Sequence, residues 1–241
     1  MEVVPGRDGP RDFPDELVFL AVSDPAIPSV AREIRGARAV VHVSGSLGLD
    51  VLLPHARRGS FHPYQSFPVV RPLEAFRGSL IAIDASDEAL LSELQAFALA
   101  LGGVPRQVRD ADRTLYHASA ALSSNLLVAL ASLAGEALGE LGWSRDEALA
   151  AVTPLMGGVV ENLGRAGLPD ALIGPIRRGD ALTVRRHLAE LEARGLNRAA
   201  AAYRILGVAA LDLALEAGLD AAAGEELRTA LTGADPAATG R

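Results

Sequence analysis

The stretch Tyr116-His-Ala-Ser-Ala-Ala-Leu-Ser-Ser-Asn125 opens a long apolar helical tract and divides the chain into two kinds of sequence. On a helix, His117, Ala121, Ser124 and Asn125 fall at i, i+4, i+7 and i+8, so an imidazole and two hydrogen-bonding side chains share one narrow face. Such a face can look into a cleft, and imidazole is the side chain that exchanges a proton near neutral pH. Before residue 110 short apolar runs alternate with helical segments, and after it the pattern is helical throughout. The expected architecture is α/β plus all-α. A parallel-sheet domain spans 1–109, an all-helical domain spans 110–233, and a small, polar, frayed tail spans 234–241.

Working outward, 16–22 reads as a buried strand, 25–34 as a helix and 38–43 as a second strand, which together make a parallel strand-helix-strand unit. A short helix is expected over 47–57, an extended piece at 60–62, a strand at 79–84 and a helix at 86–101 that stops at Gly102-Gly103. A last, short strand follows at 105–108. The spacing then predicts one helix over 116–141. Ser144-Arg-Asp-Glu147 is a capping box for a helix reaching about residue 163. Further helices are expected from Asp180 through 193 and over 197–217.

Composition narrows the chemistry. The chain has 241 residues and a formal charge of −7, with 49% apolar but only 4% aromatic residues. That mixture is dominated by Ala, Leu and Val and suits closely packed helices. The negative charge and the lack of a basic stripe argue against nucleic acid as a partner. No uninterrupted apolar run reaches the roughly 18 residues of a membrane span, and the N-terminal residues lack a secretion-signal pattern, so neither a membrane nor export is expected. All 23 basic residues are arginine. This excludes a P-loop lysine, a Schiff base to pyridoxal phosphate and any catalytic lysine. The absence of cysteine excludes disulfides and thiolate chemistry.

His62 lies in Phe61-His-Pro-Tyr-Gln65, directly after the extended piece. An imidazole at a strand end can hydrogen-bond a carbonyl oxygen and supply or remove its proton, with Gln65 as a companion on substrate; a structural histidine is the alternative. His42, inside an apolar strand, and His55 read as structural. No histidine has zinc-binding spacing, so no metal is expected. In the hinge helix His117 is the second acid/base candidate. Asn125 can orient a substrate hydroxyl by donating and accepting together, and Ser124 either assists it or permits close helix packing. Within Gly174-Pro-Ile-Arg-Arg-Gly-Asp180, Arg178 either clamps a substrate carboxylate as a fork or pairs on the surface while Asp180 caps a helix.

Taken together, His62-Pro63, Tyr116-His117, Ser124-Asn125, Glu161-Asn162 and the segment 174–180 resemble the family of Rossmann-like oxidoreductase-type proteins whose helical C-terminal half is the domain of unknown function 2520. The helical half is similar to the second domains of 6-phosphogluconate and pyrroline-5-carboxylate reductases. The resemblance implies an NAD(P)-dependent oxidoreductase, using NADP or NAD, that acts on a small oxo or hydroxy acid such as a ketopantoate-like substrate. It places Ser23, Ser44 and Gly45 beside the cofactor's ribose and nicotinamide, although Ser, Asp and Gly are also ordinary turn residues. It further implies a homodimer formed through the helical domain, and the sequence without an apolar span or export signal is expected to be cytoplasmic. The chain departs from the family in having no Gly-x-Gly-x-x-Gly turn. Glu2-Val-Val4 looks like the family's second strand, so the pattern starts about 30 residues late, with one strand, turn and helix missing. That leaves 17–22 with an unpaired apolar edge for another segment or another chain to cover. The alternative function is a non-catalytic fragment or a small-molecule binding module that has lost dinucleotide binding.

Overall fold

The computed structural model of the chain describes residues 11–67, 69 and 71–233. These fall into two compact units, one ending at Asn125 and the other beginning at Leu126, against an expected boundary at 109/110.

The first unit is built on a five-stranded sheet of β2 (Leu17–Leu20), β4 (Ala39–His42), β5 (Arg58–Pro63), β6 (Leu80–Ala85) and β7 (Val104–Gln107), in the order β2-β4-β5-β6-β7. A two-residue pair, β1 (Arg11–Asp12) and β3 (Ile34–Arg35), lies apart from it. Neighbouring strands are parallel except β5 and β6, which run antiparallel with Phe61 opposite Ile83. The expected Rossmann-like α/β class therefore holds, with one reversed pair in an otherwise parallel sheet. The expected strand at Glu2–Val4 lies outside the described residues. Among the described residues β2 is an edge strand.

Every residue of β4 is buried, and successive side chains go to opposite faces. Ala39 and Val41 join Phe61, Ile81 and Ile83 against Leu90, Leu91, Leu94 and Ala98 of α2 (Glu88–Ala100). Val40 faces Ile27 and Ala31 of α1 (Ile27–Glu33) together with Leu20, Ile34 and Leu52. Asp87 starts α2 by accepting from Leu90 N at 2.9 Å, and the same carboxylate takes two hydrogen bonds from Arg57 just before β5. Gly102, at φ 78°, supplies the left-handed residue beyond its end.

Two expectations about helices are corrected. The helix expected over 47–57 shrinks to a 3-10 turn, Leu49–Leu52, because Leu53 precedes Pro54 and a residue before proline avoids the helical region. The helix expected over 116–141 is two helices, α3 (Arg113–Ser123) and α4 (Asn125–Gly139), parted at Ser124 with φ −126° and ψ −79°. Ser119, Ser123 and Ser124 each turn a hydroxyl back onto a carbonyl three or four residues earlier, the kind of bond that bends helices. The break coincides with the boundary between the units.

The second unit contains α4, α5 (Arg145–Ala166), α6 (Ala181–Ala193), α7 (Asn197–Glu216) and α8 (Ala221–Thr232). Both halves of the Ser144–Glu147 capping box form, and Asp180 caps α6 through Thr183 N. The sequence reading did not single out α8, which Asp220 caps. Val184, Leu188, Leu211, Leu227 and Leu231 make the core of α6, α7 and α8. No residue of α4 is buried, and in the 22-residue α5 only Ala148 and Val152 are. By length and composition the tract Asp110–Gly139 is apolar enough to cross a membrane, although Ser124 interrupts its helix. The tail expected over 234–241 lies outside the described residues.

Candidate functional site

The candidate site lies in the first unit, where α3 crosses the carboxyl ends of β4 and β5. A cavity of about 340 Å³ is lined by His62, Tyr64, Gln65 and Ser66 from β5 and its continuation, and by His117, Ala120, Ala121, Ser123, Ser124 and Asn125 from α3 and its end. The residues expected on one helix face do meet at this hollow, although the break at Ser124 puts His117 on α3 and Asn125 at the start of α4. His62, Gln65, His117, Ser124 and Asn125 are brought to one hollow, with the imidazole centroids of His62 and His117 6.4 Å apart.

The Ser44-Gly45-Ser46 turn after β4 forms the floor beside these rings. A Cβ built on Gly45 would lie 2.8 Å from His62 Nε2 and 2.9 Å from His117 Cδ2, so only glycine lets this turn approach both imidazoles. Ser44 is otherwise engaged. Its hydroxyl donates to Asp24 at 2.8 Å and accepts from the backbone N–H groups of Ser46 and Leu47, which makes it the keystone of its own turn. Ser46 also donates to Asp24. Ser23 is exposed and its side chain caps nothing. Arg178 belongs to the second unit, where it is exposed near the α6 cap Asp180 and helps hold that carboxyl below its ordinary value, after the larger effect of the Thr183 hydrogen bonds.

Three residues that the sequence reading did not place in the site complete it. Tyr116 Oη lies 2.8 Å from His62 Nδ1. Tyr64 packs its ring on Tyr116 with centroids 5.6 Å apart and hydrogen-bonds Ser119 and Ser123 at 3.2 Å. Arg113, only 1% exposed, sits beneath the cluster. Its guanidinium donates to Ser60 Oγ and to the Ser44 carbonyl, and ion-pairs with Asp110 at 3.4 Å, while its Nε has no hydrogen-bond partner. Simple periodicity could have flagged two of them, since Tyr64 shares a strand face with His62 and Arg113 lies one helical turn before His117. Nothing local signals that Tyr116 meets His62.

Burial sets the protonation states. His62 is pushed down to about 4 by desolvation and then by the charges of His117 and Arg113, against a small opposing pull from Asp24. Tyr116 is pushed up to about 12, again mainly by burial and then by Tyr64, with Arg113 opposing. Near neutral pH the pair is therefore a neutral imidazole and a neutral phenol. His42, fully buried behind the Ser44 turn, is also pushed down to about 4 by burial and Arg113; its Nδ1 accepts from Ser44 N and its Nε2 has no partner. This matches its expected structural role. His55 holds the Ala31 carbonyl at 2.7 Å from a turn, rather than standing on the exposed helix expected for it.

The described residues fit one end of a nicotinamide dinucleotide better than the other. The flat imidazoles of His62 and His117 on the cavity wall suit a planar ring, and strand carboxyl ends are where such cofactors bind in open α/β sheets. A pyrophosphate needs backbone N–H groups at a helix start. Here the turn leading into α1 carries the Asp24 carboxylate, which disfavours phosphate. Among the described residues no cluster of His, Asp and Glu could hold a metal ion. A second cavity, about 370 Å³ in the second unit, is walled by Leu130, Leu133, Ile173, Leu191 and Leu206 among other apolar side chains. Its Tyr203 hydroxyl already bonds His187, so it offers little acid/base chemistry.

Comparison with known proteins gives a family and a fold. Residues 79–210 match the family described as Domain of unknown function (DUF2520). The structure is similar to protein TM1727 from Thermotoga maritima, at 28% identity and a TM-score of 0.66 over 80% of this chain and 81% of that one. It is also similar to BF3122 from Bacteroides fragilis, provisionally described as an NADP oxidoreductase, at 23% identity and TM-score 0.61 over 80% and 74% of the two chains. A third similar structure is 1-pyrroline-5-carboxylate reductase from Streptococcus pyogenes, at 17% identity and TM-score 0.53 over 90% and 76%. No curated protein sequence matches the chain.

Proposed function

Since the chain belongs to the DUF2520 family, we propose that it is an NAD(P)-dependent oxidoreductase acting on a small carbonyl or hydroxyl compound. One observation carries this reading. Two histidines and an asparagine, drawn from β5, α3 and the start of α4, converge on one cavity at the strand carboxyl ends, with Gly45 of the turn after β4 packed against both imidazoles. The fold it shares with BF3122 and with pyrroline-5-carboxylate reductase supports the same class. A bound nicotinamide would supply or take up hydride. The protein's own part is to hold the carbonyl oxygen by an imidazole N–H of His62, move a proton at that atom, and orient the substrate through Asn125. His117, whose ring also packs against Gly45, is the alternative proton donor. If the substrate is an oxo or hydroxy acid, a ketopantoate-like compound is one example; Arg178, exposed in the second unit, is not among the residues that line this cavity.

We read the molecule further as a cytoplasmic homodimer. On α4 and α5, Val128, Leu149, Leu155, Val159, Val160 and Leu163 are each exposed by 45% or more. Covering about 100 Å² on each would bury roughly 600 Å² per protomer, near the ~800 Å² per partner of a standard interface. A second copy would cover this exposed apolar surface of α5 and of Val128 on α4.

Calorimetric titration with NADPH and NADH tests the function. Micromolar binding supports an oxidoreductase and justifies a substrate screen with His62 and Asn125 variants. No binding by folded protein refutes it. The reading left would then be a small-molecule binding module, which the Asp24 carboxylate beside the α1 turn already favours over a phosphate site.

A further inference from the structure

His62 has one nitrogen committed and one free. Nδ1 faces the Tyr116 hydroxyl at 2.8 Å, whereas Nε2 has no hydrogen-bond partner among the described residues and lies close to Gly45, on a ring that lines the cavity. Which nitrogen carries the proton decides what the cavity offers: an Nε2–H is a donor for a carbonyl oxygen, and a bare Nε2 is only an acceptor. The Tyr116 proton can go to one of two places, His62 Nδ1 at 2.8 Å or the His62 carbonyl at 3.4 Å. An O–H donor bonds best near 2.7–2.8 Å, and a 3.4 Å contact is at the limit of interaction.

We propose that Tyr116 is a positioning residue for His62: its hydroxyl donates to Nδ1, fixes the Nε2–H tautomer, and so presents a hydrogen-bond donor to a carbonyl oxygen in the cavity. The inference rests on the oxidoreductase reading for its use, though not for its geometry. The surroundings keep the arrangement neutral. His117 and Tyr116 on α3, Tyr64 beyond β5, Arg113 beneath and Asp24 across the turn are the titratable groups facing His62. None of them is a carboxylate bonded to Nδ1, the arrangement that would favour a proton there. Tyr64 buttresses the phenol ring and hydrogen-bonds the serines of α3, so Tyr116 is held against His62 from both sides. When Nε2–H gives its proton to an alkoxide formed by hydride addition, Nδ1 takes the Tyr116 proton and the phenolate is reprotonated from water, so the net proton comes from solvent and both side chains return to their neutral forms. No oxidant or reductant beyond the nicotinamide is involved.

The test is nitrogen-15 spectroscopy of the histidine side chains in the full-length protein near pH 7.5, without nucleotide or substrate. The expected wild-type signature is one-sided: Nε2 of His62 protonated and Nδ1 unprotonated, with no averaging. In Tyr116→Phe the Nδ1 resonance shifts as its donor is lost, while Tyr64→Phe leaves the tautomer in place. A protonated Nδ1, or an averaged mixture in the wild type, overturns the proposal and makes Nε2 a base. The wild-type spectrum decides by itself if Tyr116→Phe does not fold. Because no cofactor is present, failure here is separate from failure of nucleotide binding.

Discussion

Lowering the pH from 7 to 5 will cost this protein about 3 kcal/mol of stability, and His42 will account for most of it. His42 is fully buried and sits at about 4 in the fold against an ordinary 6.5. Its folded value is depressed, so between these limits the unfolded chain binds the extra proton. The contribution is complete above pH 6.5 and is lost as pH falls toward 4. Linkage between those two values gives about 2 kcal/mol lost between pH 7 and 5. His62 has the same depressed value in a more open setting, and screening by solvent reduces its share to about 1 kcal/mol. Asp87 and Glu93 are held below their ordinary values by hydrogen bonds from arginines and stay ionised over most of this window, so they add little. Urea unfolding followed by far-UV circular dichroism at pH 7, 6 and 5 measures the loss. Fluorescence is unsuitable because the sole tryptophan, Trp143, is in the second unit while His42 is in the first. His42→Asn retains an acceptor for Ser44 N and removes the titration, so about 2 kcal/mol of the pH-dependent loss should vanish with it. A wild-type loss under about 1 kcal/mol, or an undiminished loss in His42→Asn, would refute the claim that burial keeps this imidazole neutral.

Gly45→Ala should cost about 1–3 kcal/mol, because its Cβ would lie within 2.9 Å of both imidazoles and one of them must move; altered histidine resonances with weakened ligand binding are expected, and unchanged spectra would contradict this. Asp87→Ala removes both the α2 cap and the Arg57 partner and should lower the urea-derived stability by about 1–2 kcal/mol. Leu94→Ala, in the sheet-facing core of α2, should cost about 2–5 kcal/mol in the same assay. Val159→Arg on α5 should convert a dimer to monomer in light scattering while leaving the first unit's circular dichroism intact; a wild-type monomer would remove the premise.

Much of the first unit was legible because its signals are local. An unbroken Ala39-Val-Val run marks a strand buried on both faces, Ser144 with Glu147 marks a helix start, and Gly102 marks a stop. The antiparallel β5–β6 pair was not legible, because strand direction depends on how the intervening loop returns, and no residue pattern in 58–63 encodes it. The break at Ser124 was hidden for another reason. Ser119, Ser123 and Ser124 are compatible with a helix, and only their back-bonding shows that one ends there.

The sequence by itself determined the chemical vocabulary: no lysine and no cysteine, a polar helix face carrying His117, Ser124 and Asn125, and a histidine at a strand end. These follow from residue identity and from the 3.6-residue period, which act within a few positions along the chain. Tertiary structure decided which groups answer one another. Tyr116 reaches His62 across 54 positions, Gly45 fits between two imidazoles, and Arg113 is buried beneath them because the sheet places the ends of β4 and β5 side by side under α3. Such contacts depend on strand order and on exclusion of water, and both exist only once the chain has folded.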